Sequence, residues 1–120
     1  MLVIEPSPAA FVRIRASGRL SSAQYRKFDC AFADELKTRT LPAALLLDLR
    51  GFRGWTPSGF LADLRWDLQN RSTFSKIAVI GNARWHYWMT VAGAPLFSAS
   101  MNYFASTEIG PAEEWLAGRP

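Results

Sequence analysis

The sequence holds one cysteine, Cys30, and one histidine, His86. A lone cysteine closes no intrachain disulfide, and these two residues fall short of the three or four ligands that a zinc site needs. Flanked by Phe28, Ala31 and Phe32, Cys30 is expected to be a small buried hydrophobe rather than a reactive thiol. Long apolar runs are also missing: the longest, Leu41 to Leu47, is too short to span a bilayer and contains Pro42. Met1 to Pro8 lacks the basic start and apolar centre of a secretory leader, so the cytoplasm is the expected compartment. No tract of lysine or arginine stands out. Asp29, Asp34, Glu35, Asp63 and Asp67 are scattered among the basic residues, so the net charge of +4 is a mild excess and nucleic acid is not an expected partner. Neither G-x-x-x-x-G-K-[ST] nor G-x-G-x-x-G occurs, which leaves Gly51, Gly54 and Gly81 as turn residues rather than a phosphate cradle.

What remains is an ordinary globular composition. With 120 residues and 49% hydrophobic content, the chain suits one domain over residues 1–120 that buries roughly two-thirds of its unfolded surface. Leu2-Val3-Ile4 and the alternating Phe11 to Arg15 read as two neighbouring strands. Ser21 or Ser22 caps a first helix running to about Arg39, with Tyr25, Phe28, Phe32 and Leu36 on one face. Ala44 to Leu49 and Ile77 to Gly81 are continuous apolar runs, as strands covered on both faces require. Between them Gly51 and Gly54 bracket a loop, and Thr56-Pro57 opens a second helix whose apolar face is Phe60, Leu61, Leu64 and Leu68. Asn82 is placed to cap a third helix carrying Trp85, Trp88, Met89 and Ala92. Met101 to Phe104 reads as a last strand, and Gly110-Pro111 opens a final helix that ends near Gly118. The pattern predicts an α/β fold: a five-stranded, mostly parallel sheet with an antiparallel edge strand and about four helices.

The segment Leu45-Leu46-Leu47-Asp48-Leu49-Arg50-Gly51-Phe52, followed by Thr56-Pro57-Ser58-Gly59, resembles the signature of STAS domains. Gly54-Trp55, Lys76 to Gly81, Trp85, Trp88, Tyr103-Phe104 and Ala112 to Leu116 narrow the likeness to the SpoIIAA-like branch, also described as STAS/SEC14-like. The resemblance covers nearly the whole chain and implies a module that works through contacts rather than turnover. In the phosphorylation-switched antagonists of anti-sigma factors, the corresponding helix opens with Asp-Ser-Ser-Gly and the first serine takes the phosphate. Here Pro57 stands at that place and has no hydroxyl, Ser58 falls one residue late, and Thr56 reads as a cap, so the phosphoswitch is a disfavoured reading of the resemblance.

No nucleophile–base set assembles from the sequence. His86 reads as a partly exposed helical residue, with Ser58 and Asp48 as unproven company, so neither catalysis nor a cofactor is expected. Asp48 lies inside an apolar strand, where it must find hydrogen bonds or a cation such as Arg50, Arg53 or Arg84. The tryptophans offer more. Trp55 follows the third strand and Trp85 and Trp88 follow the fourth, so both sets stand at strand carboxyl ends, where α/β sheets bind ligands. Indoles supply apolar area and one N–H donor, and Arg50, Arg53 or Arg84 is available for an anionic group. The expected surface is therefore Arg50, Trp55, Ser58, Asn82, Trp85 and Trp88. Its expected occupant is a protein partner, a second copy of the chain, or a small apolar or amphipathic ligand. A SEC14-like carrier of a small apolar or lipid molecule is one alternative reading, and a phosphorylation-switched regulator like the anti-sigma factor antagonists, disfavoured by Pro57, is the other.

Overall fold

The computed structural model describes residues 1–118. Its strands are β1 (Leu2–Glu5), β2 (Val12–Leu20), β3 (Ala43–Trp55), β4 (Phe74–Gly81) and β5 (Ser100–Ala105), and they form one sheet in that order. β1 runs antiparallel to β2 and every other neighbouring pair is parallel, as the sequence pattern predicts. Helices α1 (Ser22–Leu36), α2 (Pro57–Gln69) and α3 (Arg84–Gly93) fill the crossovers, and α4 (Ile109–Leu116) follows β5. Each parallel connection steps to the next strand in the same direction. Right-handed crossovers therefore place α1, α2 and α3 on one face of the sheet. The opposite face is left to α4, whose Ala112 and Leu116 pack with Phe11, Leu46, Ala78 and Ile80.

Strand alternation divides β3 between the two faces: Leu45 and Leu49 point into the three-helix side, Leu46 to the α4 side. Near its end β3 gains residues relative to β2. Arg15 and Ser17 face Asp48 and Gly51, and Gly18 and Arg19 face Phe52 and Gly54, so β3 carries one extra residue at each step. The bulges reset the parity, and Leu49, Phe52 and Trp55, three apart, all pack on the three-helix side. Gly54, at φ +112°, occupies a conformation that L side chains rarely adopt. The expected loop bracketed by Gly51 and Gly54 is thus bulged strand, and Trp55 ends β3 instead of following it.

α1 buries Tyr25, Phe28 and Phe32 as its spacing requires, and it stops at Leu36; Thr38 and Arg39 form a hydrogen-bonded turn back onto Glu35 and Leu36. Ser21 holds the cap position, yet its side chain makes no capping bond. Cys30 is exposed, against expectation, because it lies off the Tyr25–Phe28–Phe32 stripe.

Candidate functional site

Packing on the three-helix face is incomplete. A cavity of about 330 Å³ lies between the sheet and α1, α2 and α3. Leu45, Leu47, Ile77, Val79 and Met101 form its floor, while Phe28, Phe60, Leu64, Met89 and Phe97 contribute to its walls. Such a volume falls at the small end of the roughly 300–1,000 Å³ seen for small-molecule sites, which are likewise mostly apolar with few polar groups.

The orientation of α2 creates this space. Apolar periodicity predicts an inward stripe of Phe60, Leu61, Leu64 and Leu68, but Leu61 is 67% exposed and Leu68 54% exposed. Gly59, Ala62 and Trp66 turn inward instead. Two contacts decide the rotation. A Cβ on Gly59 would lie 2.0 Å from the Leu20 carbonyl oxygen, so only a glycine lets the first turn of α2 dock there. Two helical turns further on, the Trp66 ring packs 5.2 Å from Phe32 and 6.1 Å from Phe74. With those two residues seated, Phe60 and Leu64 move to the cavity's edge, and Asp63 and Asp67, one helical turn apart, line it beside them.

These aspartates belong to a polar corner within the apolar crevice. The Tyr25 hydroxyl donates to Asp63 Oδ1 at 2.7 Å, and Trp55 Nε1–H donates to the Tyr25 oxygen at 3.0 Å. Asp67 stands one helical turn beyond Asp63 on α2, and both line the crevice. Burial raises both carboxyl pKa values; the neighbouring Asp63 charge then pushes Asp67 up to about 9. At neutral pH the Asp67 carboxyl is therefore held in its protonated form. Burial, followed by the charge of Asp63, also raises the Tyr25 phenol. Among the described residues, neither aspartate forms an ion pair with lysine, arginine or histidine.

The six residues expected from the sequence are divided by the fold. Trp55 lines the crevice. Its ring lies 4.9 Å from Phe52 and 5.4 Å from Phe60, and Phe52 in turn meets Trp85 at 5.5 Å, making an aromatic ladder across the ends of β3, α2 and α3. Trp85 is the outer rung, 40% exposed. Trp88 does not join it: this ring is 61% exposed and packs on Tyr87. Arg50 lies on the wrong face, since it binds Asp48 through Nε (3.0 Å) and Nη2 (2.7 Å). Asp48 alternates with Leu47 and Leu49, which both line the crevice, so it points to the α4 side. Burial opposes ionisation of this acid, but the hydrogen bonds and charge of Arg50 outweigh it and hold the carboxyl below its usual range. Asp48 is thus the structural acid of that strand.

Ser58 is exposed, with its hydroxyl 3.3 Å from that of Thr56. Asn82 does not cap α3, where Ala83 holds the cap position; its backbone N–H donates to His86 Nδ1 at 3.3 Å. His86 itself is 1% exposed, not the partly exposed residue expected. Because Nδ1 accepts, Nε2 carries the proton and donates to the Phe52 carbonyl at 3.0 Å. Both ring nitrogens are spent on backbone groups, which fastens the β4–α3 turn to β3. Sequence reasoning missed Tyr25, Asp63 and Asp67. The available signal was the i, i+4 spacing of the two acids, hidden beside a stronger-looking leucine stripe.

The profile of the SpoIIAA-like family matches residues 11–117. The chain belongs to the SpoIIAA-like family. A crystal structure of an uncharacterized protein with a SpoIIAA-like fold, from Shewanella loihica PV-4, superposes with a TM-score of 0.81 at 21% identity, covering 97% of this chain and 92% of that one. At that identity the likeness speaks for the fold alone. None of the curated proteins compared matches the chain. In this SpoIIAA-like chain the Thr56 hydroxyl accepts from Gly59 N–H at 3.0 Å, so it serves as the α2 cap, and Pro57 occupies the first helical position. No helix among the described residues is long and apolar enough to cross a membrane.

Proposed function

We propose that this SpoIIAA-like domain is a non-catalytic binding module that takes a small apolar or amphipathic molecule into the crevice beneath α1, α2 and α3. One observation carries the reading: an open volume of about 330 Å³ whose lining is mostly apolar, with Asp63, Asp67 and the Tyr25 hydroxyl as a polar corner. A merely structural core would close this space, because unfilled volume forfeits packing energy. The apolar-carrier alternative uses the same crevice and differs only in whether the ligand is later released to an acceptor.

An NMR titration with 1-octanol tests the proposal. The methyl signals of Leu47, Val79 and Met89 should shift together and saturate. Leu47→Trp, which fills the floor from a half-buried position, should abolish those shifts while leaving the melting temperature within a few degrees, as a loss of about 1 kcal/mol or less would. Shifts confined to surface methyls would dismiss the crevice as a site.

A second reading is favoured by the outer sides of α2 and α3. Leu61, Leu68, Trp88 and Val91 are large apolar residues left exposed on these two helices, and they suit contact with a second copy of the chain.

A further inference from the structure

Resting on the crevice proposed above, we infer that its ligand is an apolar monocation, a protonated amine with a hydrocarbon body, held by the Asp63–Asp67 pair. Three features converge on this class. First, the two carboxyls line an otherwise apolar cavity, so whatever enters meets hydrocarbon on most sides and acceptor oxygens on one. Second, the protein directs no cation at them: among the described residues, every ion pair involves other acids. Nearby partners are Tyr25, already donating to Asp63, and Trp55, already donating to Tyr25. From α3 the polar contribution to the lining is Thr90, whose hydroxyl is committed to the His86 carbonyl at 2.9 Å.

Third, no protein cation compensates the charge that this half-buried acid pair takes on, and charge held away from water without a counter-ion is costly unless a ligand supplies one. An ammonium group has donors only, which matches a pair whose free positions are acceptors. A carboxylate or phosphate would meet like charge, so anionic lipids and fatty acids are the wrong sign for this corner. An alcohol fits the hydrocarbon floor yet leaves the charge in place. The carboxyls therefore set which head group is accepted, and the sheet sets how much tail can follow.

The test compares three probes of equal chain length, n-octylamine, 1-octanol and octanoate, by calorimetric titration of the full chain at pH 7. Octylamine should bind more tightly than octanol by about tenfold or more, the scale of one charge-assisted hydrogen bond, and octanoate should be the weakest. Asp63→Asn combined with Asp67→Asn keeps both side-chain sizes and removes every carboxyl charge from the corner; it should reduce the amine preference while octanol still binds, which also reports that the variant is folded. The probe order in the unaltered protein decides the question even if the variant is unstable. Octanol or octanoate binding as tightly as the amine would overturn the amine assignment and leave the apolar crevice standing. Failure of all three to bind would remove both.

Discussion

Burial and the Asp63 charge hold the Asp67 carboxyl at about 9 against an ordinary 3.8. A carboxyl raised by folding binds more protons in the native state than in the unfolded chain across that window. Stability from this group is therefore fully present below pH 3.8 and declines as pH rises toward 9. Asp48 works in the opposite sense: its lowered value makes the Asp48–Arg50 pair stabilising above the ordinary carboxylate range, and that contribution is lost in stronger acid. Removing the ionisable group at position 67 isolates the first effect. Asp67→Asn should raise stability by about 1–3 kcal/mol at pH 8, with the gain shrinking toward pH 4.5. Thermal melts of both proteins across that range check it, and a variant less stable than its parent at pH 8 would contradict the assignment. Similar residue-scale reasoning assigns His86, whose two ring bonds bind backbone to backbone, to architecture.

At the scale of elements, α2 depends on its first turn. Gly59→Ala would drive a methyl to 2.0 Å from the Leu20 carbonyl, a backbone atom that cannot swing aside. A loss of about 3 kcal/mol or more is expected, measurable by urea unfolding, since relieving the clash must shift the helix or the end of β2. An alanine variant as stable as the parent would show that α2 is not pinned there. The same element marks where sequence reading succeeded and failed. Strand order, the antiparallel edge and the Thr56-Pro57 helix start were legible because alternation, continuous apolar runs and cap chemistry are local signals. The rotation of α2 was not, because it is set by a glycine against β2 and a tryptophan against α1, contacts between segments distant in sequence. Once the helix was assigned the wrong face, Asp63 and Asp67 read only as acids scattered among the basic residues and the polar corner was invisible. Trp55 was legible as a crevice-lining residue through its place at a strand end; Arg50 and Trp88 lie away from the crevice because neither their side of the sheet nor their side of the helix follows from proximity in sequence.

At the scale of the molecule, the crevice is walled by three separate crossovers over one continuous floor. The outer sides of two of those walls remain apolar, with Leu61 67% exposed and Trp88 61% exposed. If a second copy covers them, sedimentation velocity should show concentration-dependent association that Leu61→Ser with Trp88→Ser removes. Surface changes of this kind should alter the stability of the monomer by only about 0.5 kcal/mol. A parent chain that stays monomeric over the whole concentration range would rule that contact out.

The two extra residues in β3 have a bearing on how such crevices diversify. Because each one reverses which side chains look inward, the spacing of Leu49, Phe52 and Trp55 is a matter of segment length as much as of composition. A chain of this family that gained or lost one residue between Asp48 and Trp55 would keep its sheet but exchange the rings bordering the pocket for their outward neighbours, Arg53 among them. Changes of ligand preference among such chains would then follow from a one-residue insertion or deletion, with every substitution in the floor left aside.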